Sequence, residues 1–125
     1  MSLTMKIENK MPGCHVVKFI GRLDGTTYAE CEAKINPLLI PATRDIMFDM
    51  TNLDYISSMG LRIIITTRKF IEGNGGRVHM MNMQPQIEKV FKIANMLEGM
   101  TIFANIKEAD DYFAVMQKKV LDSLR

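Results

Sequence analysis

The run from Ile46 to Gly73 constrains the fold most. Ile46-Met-Phe48 is continuously apolar, the signature of a strand covered on both faces, as central parallel strands of α/β sheets are. The next stretch, Asp49-Met-Thr-Asn-Leu-Asp-Tyr-Ile-Ser-Ser-Met-Gly-Leu61, reads as a polar loop delivering Ser57 and Ser58 to the start of a long apolar helix. That helix begins at about Ser58 and stops at Gly73-Asn-Gly-Gly76, after which Arg77-Val-His-Met-Met81 resumes strand character. Strand, helix and strand in that order predict a mixed α/β sheet with a right-handed crossover.

The two serines therefore meet a helix N-terminus, where unpaired N–H donors and the positive end of the helix dipole stabilise an anion. A phosphate on either hydroxyl would be held there, which makes the segment a candidate phosphorylation switch. The simpler alternative is that Ser57 or Ser58 only caps the helix.

The remaining elements follow from local signals. Strands are predicted over residues 5–8 and 14–20, joined as a hairpin by the turn at Pro12-Gly13. Gly21-Arg-Leu-Asp-Gly25 breaks that pattern. Thr27 with Glu30 has the form of a capping box for a helix reaching about residue 39, with Tyr28, Cys31, Ile35 and Leu38 on one face and Pro37 kinking or ending it near Asn36. Pro85 suits a first helical position, with Ile87, Val90, Phe91 and Ala94 forming the apolar stripe. A short strand at 101–103 precedes a last helix capped by Asn105 and Glu108, its apolar face marked by Ile106, Ala109, Phe113, Met116 and Val120. With no internal repeat or linker, 125 residues predict one domain.

Composition narrows the function. Sixteen basic and fourteen acidic residues are spread along the chain for a net charge of +2, with no basic run, no Trp and only nine Phe and Tyr residues, so nucleic acid is a disfavoured partner. Cys14 and Cys31 make neither a zinc site nor a disulfide framework and fit a reducing cytoplasm. No leader opens the chain and no apolar run approaches a membrane span, so no membrane association is expected. Met1-Ser2-Leu3 is open to reading as a cloning remnant ahead of Met5, and carries no functional weight.

Catalytic motifs are missing. Gly73 to Gly76 lies between a helix and a strand, the reverse of a phosphate-binding loop. His15 and His79 lack partners at metal spacing and read as structural, and Ser58 lacks a nucleophile elbow, so no enzyme activity, metal or cofactor is expected. Asp24, Asp49 and Asp54 read equally as an acidic cluster near the serines or as separate caps and turns. Of twelve methionines, Met59 and Met96 fit core positions least, and an exposed thioether suits an adaptable partner contact.

In this order of elements, Gly21-Arg-Leu-Asp24 and Asp49-Met-Thr-Asn-Leu-Asp-Tyr-Ile-Ser-Ser-Met-Gly-Leu61 resemble the two motif blocks of STAS domains of the bacterial anti-sigma factor antagonist type, with Gly75-Gly76 and residues 87–91 fitting less specifically. The resemblance runs from about residue 6 to 120. It implies a STAS-like mixed sheet of about four to five strands packed against about four α-helices. It also implies a switch that, when unphosphorylated, binds an anti-sigma factor with serine kinase activity and so releases a sigma factor, with a PP2C-type serine phosphatase reversing the modification. Ser58 falls on the phosphoacceptor position, and Asp24, Thr51, Asn52, Ser57, Met59 and Gly60 on the partner-binding surface. Ser57 stands where an aspartate is commonest, and Met59 where a small residue is. A STAS scaffold in another regulatory or transport complex, without regulated phosphorylation, is the alternative.

Overall fold

A computed structural model describes residues 2–123. Among them, five strands form one sheet in the order β1-β2-β3-β4-β5: β1 (Leu3–Met11), β2 (Cys14–Leu23), β3 (Asp45–Ile56), β4 (Arg77–Met81) and β5 (Thr101–Phe103). β1 and β2 form an antiparallel hairpin, and the remaining neighbours run parallel. The helices are α1 (Tyr28–Ile35), α2 (Ser58–Gly73), α3 (Pro85–Ile93) and α4 (Ile106–Ser123), with a single 3-10 turn at Asn36–Leu38. The mixed sheet and four helices are those expected.

Side chains of α1, α2 and α3 bury one sheet face around Phe19, Phe48, Ile64 and Phe91. On the other face α4 places Ala109 and Phe113 against Cys14, Met47, Met81 and Phe103. Beneath α4, Tyr112 donates its hydroxyl to Asp45 Oδ2 at 2.5 Å, and His79 Nε2 lies 2.9 Å from Asp45 Oδ1, too poorly aimed for a hydrogen bond. Burial, then the Asp45 carboxylate, push the Tyr112 phenol well above its ordinary value. His79 is thus a buried strand residue, in keeping with a structural role.

Several boundaries differ from expectation, each for a physical reason. β1 starts at Leu3, which is buried with Met5, so part of the segment given no weight belongs to the core. β2 does not break at Gly21. That glycine, at φ +110°, lets β1 pass over it, where a Cβ would lie 2.4 Å from Ser2 O. The capping box does not form: the Thr27 hydroxyl donates to Arg22 O at 2.8 Å and accepts from Asp24 N–H at 2.9 Å. α1 ends at Ile35, where Pro37 forces the change to a 3-10 turn.

The largest correction concerns residues 49–56, which continue β3 rather than forming a loop. Its pairing with β2 slips twice, between Lys18 and Ile20 and between Gly21 and Arg22, each time inserting one extra β3 residue. These bulges bring Met50, Leu53 and Ile56 to the same core at intervals of three instead of two. Met96 is also core, its loop held by Arg68, which donates to Met96 O at 2.7 Å and Glu98 O at 2.6 Å, so it is no exposed partner contact. Ala94 is exposed at the end of α3. On α4, Ala109 and Phe113 face the core as expected, while the side chains of Ile106, Met116 and Val120 lie outside the described residues.

Candidate functional site

The bulged half of β3 leads directly into α2, and two contacts fix the junction. Ser57 N–H donates to Leu23 O at 2.8 Å, tying the start of α2 to the end of β2. Gly60 then sits so close to both strand ends that a Cβ would lie 2.5 Å from Leu23 Cγ and 3.0 Å from Ile56 Cγ1. Only glycine lets the first turn settle this deeply, which sets the height at which the serines emerge.

The two serines have different surroundings. Ser57 has extended backbone, and its Oγ accepts from Gly60 N–H at 3.3 Å, the geometry of an N-cap. Ser58 is the first helical residue and is exposed, with no hydrogen bond to its hydroxyl among the described residues. Met59 is half-buried and Gly60 buried. No acidic residue occupies the first turn of α2, so its N–H groups and dipole act on Ser58 unopposed from within the helix.

Asp24 closes the turn beside this junction. It accepts from the Thr26 hydroxyl at 2.7 Å and the Thr26 N–H at 2.9 Å, and lies 3.5 Å from Arg22 Nε. The Thr26 hydroxyl, then its N–H and the Arg22 guanidinium, hold the Asp24 carboxyl below its ordinary range. Arg22 also stacks on Tyr55, its Cζ 4.3 Å from the ring centroid. Neither Arg22 nor Tyr55 was singled out by sequence. Arg22 stands inside the first motif block, but its partnership with Tyr55 depends on the strand register, which pairs the two only because of the bulge.

The structure brings Asp24, Ser57, Ser58, Met59 and Gly60 to one end of the sheet and sets Thr51 and Asn52 apart. At about 3.3 Å per residue, Asn52 lies on the order of 15 Å down the strand from Ser57. Thr51 belongs to a different network: its hydroxyl accepts from Asn82 at 3.2 Å and its carbonyl from Gln84 Nε2 at 3.1 Å. Gln84 also reaches Asp54 Oδ1 at 3.3 Å, and Gln86 reaches Asp54 O at 3.4 Å, so the β4–α3 loop and α3 stitch the free edge of β3 with side chains.

The three aspartates do not act as one cluster. Asp49 is buried, receives the Thr51 N–H and hydroxyl at 3.0 and 2.6 Å, and lines the α4 face of the sheet. Asp24 is a turn residue, whereas Asp49 and Asp54 lie within β3, so neither an acidic cluster nor a common use as caps and turns describes all three.

The fold has relatives among known proteins. A family model described as STAS domain matches residues 7–109. BtrV of Bordetella bronchiseptica, provisionally assigned as an anti-sigma factor antagonist, is 28% identical over 109 residues, covering 87% of this chain and 90% of that protein. The anti-sigma-B factor antagonist of Staphylococcus aureus is 29% identical over 86 residues, covering 69% and 80%. Among solved structures, unphosphorylated SpoIIAA, an anti-sigma factor antagonist, superposes with a TM-score of 0.77 at 23% identity, covering 89% of this chain and 96% of that one. The phosphorylated form of the Bacillus protein gives 0.73, also at 23% identity, covering 88% and 99%. The structural likeness speaks to fold.

Proposed function

The chain belongs to the STAS domain family, and from that premise we propose that it is an anti-sigma factor antagonist switched by phosphorylation of Ser58. In its unmodified form it binds an anti-sigma factor with serine kinase activity and so releases a sigma factor in the cytoplasm. The kinase ends the binding by modifying Ser58, and a PP2C-type serine phosphatase restores it. Relatives carrying the antagonist name over most of their length support this reading. One observation carries the choice of residue: Ser57 is used as the helix cap, which leaves the Ser58 hydroxyl exposed and unengaged.

The mechanism follows from charge and position. A phosphoserine brings about −1.5 to −2 charges at neutral pH. The N-terminus of α2 holds that charge without refolding the domain, while a partner seated on Met59, Asp24 and the first turn meets a new anion that it must desolvate. About 1.4 kcal/mol of such repulsion already weakens binding tenfold. In this reading the kinase supplies the nucleotide and the chain supplies the acceptor hydroxyl of Ser58.

The test is mass spectrometry after incubation with the cognate kinase and ATP. The expected result is a single phosphate on wild type and on Ser57→Ala, none on Ser58→Ala, and no change with ATP alone. Equal modification of Ser58→Ala would remove Ser58 from its role.

A further inference from the structure

The sheet has two edges, and they are finished differently. β5 at one edge is three residues long, a length that offers little to a further strand. β1 at the other edge runs for nine residues, and from Lys6 to Lys10 every one is exposed. The phase of its ladder shows what the open side presents. Arg22 N–H donates to Ser2 O at 3.3 Å around the Leu3–Gly21 pair, so Leu3 stands at a non-hydrogen-bonded position opposite β2. Such positions alternate, and the register is unbroken from Leu3 to Asn9. Lys6 and Glu8 therefore turn their backbone groups toward β2, whereas Met5, Ile7 and Asn9 turn N–H and C=O outward. Ile7, opposite the buried Val17, also keeps 40% of its surface exposed.

The side chains of Lys6, Glu8 and Lys10 rise on the α4 side and alternate in sign along the strand. The cavity they border is lined by as many carboxylates as lysines, with Lys18, Asp49 and Asp110 as the others, so net charge there selects no partner of one sign. The order of the charges does. Lys6 stands opposite Lys18 in the ladder, an unfavourable pairing, and among the described residues it forms no ion pair. Glu8 lies 3.4 Å from Lys10, its side chain 66% exposed and open to a second cation.

An edge lysine ordinarily deters strand pairing. On β1 one self-pairing register removes that obstacle. A two-fold axis through Ile7 and normal to the sheet pairs Leu3–Met11 with its own copy over the full strand, and sets Lys6 of each copy opposite Glu8 of the other. Centring on Lys6 or on Glu8 instead places like charges together on the axis. Centring on Asn9 matches charge but uses little more than half of the strand and brings in Pro12, which has no N–H to donate.

We propose that β1 is a dimerisation edge, at which two copies of this chain join their sheets by antiparallel β1–β1 pairing about Ile7. The outward N–H and C=O of Ile7 exchange hydrogen bonds with their counterparts, and those of Met5 with Asn9. Ile7 meets Ile7 on one face, and the two Lys6–Glu8 pairs form on the other, where each Glu8 also offsets the repulsion between Lys6 and Lys18. Leu3 and Met5, the end of β1 buried under the helix layer, lie opposite Met11 and Asn9, so the two layers cover opposite ends of the seam. The pairing uses no residue of the Ser58 site.

The test is sedimentation of the full chain over a range of concentrations. Wild type should pass from the mass of one chain to that of two. Lys6→Glu and Glu8→Lys should each weaken the dimer at least about tenfold, because both cross-strand pairs become like-charged. Mixed in equal amounts, the two variants should associate as wild type does, since position 6 of each then faces the opposite charge at position 8 of the other; a variant that merely failed to fold could not be rescued in this way. Amide exchange of the wild type should slow with concentration at Met5, Ile7 and Asn9 and stay unchanged at Ile102 in β5. The proposal is overturned if wild type keeps the mass of one chain throughout, if either single variant dimerises as wild type does, if the mixture stays monomeric, or if the added protection appears at β5.

Discussion

The two halves of β3 are built on different rules. Residues 45–49 lie between β2 and β4, with ladders on both sides, and Ile46, Met47 and Phe48 have no solvent exposure. From residue 50 onward β3 has run past the end of β4 and pairs with β2 alone, through two bulges. Its open edge is completed by the amides of Gln84 and Gln86 instead of a strand. The first half is specified by burial on both faces. The second is specified by where its backbone bends, with every third residue turned inward and Asn52, Asp54 and Tyr55 left to solvent. One strand thus serves as core at one end and as the support of the proposed recognition rim at the other.

The sharpest way to break this comparison is Phe48→Ala. Phe48 is fully buried and stacks on Phe19 with ring centroids 5.7 Å apart. Truncation should cost about 3 to 5 kcal/mol by chemical denaturation, with Ser58 still modified in the folded fraction. A loss below about 1 kcal/mol would mean that the two halves tolerate change equally.

Gly60→Ala probes the junction. The new methyl must displace Leu23 Cγ or Ile56 Cγ1, both inside the core. Overpacking of this kind costs about 1 to 3 kcal/mol, and here it also lifts the first turn of α2. Stability and the rate of Ser58 modification should fall together. A stable variant modified at the wild-type rate would show that the close approach of Gly60 does not set the position of Ser58.

Ser57→Ala should cost less, about 0.5 to 2 kcal/mol in thermal or denaturant melts, since it removes a cap and leaves the helix packing intact. Modification of Ser58 should persist. Ser58→Ala should show the reverse, with little loss of stability and complete loss of modification. If the two profiles exchange, the hydrogen bond to Gly60 N–H does not mark the capping residue.

The same contrast explains what could be read in the sequence. Elements with local signals are where the sequence puts them: β4 and β5, α3 from Pro85, the C-terminus of α2 at Gly73, and the cap of α4, where Glu108 N–H donates to Asn105 Oδ1 at 3.0 Å. The core half of β3 is legible because continuous burial leaves a continuous apolar run. The bulged half is not, because its inward residues recur at three, a spacing that breaks strand alternation and is shared with a helix face. Thr27 misled for a related reason: its hydroxyl has the spacing of a cap, yet the carbonyl of Arg22, brought close by the strand end, takes its proton. Asp45, His79 and Tyr112 meet across elements far apart in the chain, so no local pattern announces them. The resemblance already set Ser58 apart from Ser57 as the acceptor position, whereas which of the two caps the helix needed the hydrogen bond.

The smallest expected effect concerns Asp24, which ties the end of β2 to the rim. Its carboxyl lies below the ordinary value of 3.8, first because the Thr26 hydroxyl donates to the ionised form, then through the Thr26 N–H and Arg22. A carboxylate depressed in the folded state contributes stability that is present above the unfolded value and is lost as pH falls through the folded one. The contribution should therefore be constant between neutral pH and about pH 5 and should fade only below the unfolded value. Because the group is exposed, the change in melting temperature should be slight, and the direct measurement is the Asp24 carboxyl carbon shift against pH. Its midpoint should lie below that of an unperturbed aspartate, and Thr26→Ala should move it upward by deleting the hydroxyl that acts most strongly. An unmoved midpoint in Thr26→Ala would place the cause in the backbone N–H of residue 26 and in Arg22, which the alanine leaves in place, and not in the hydroxyl.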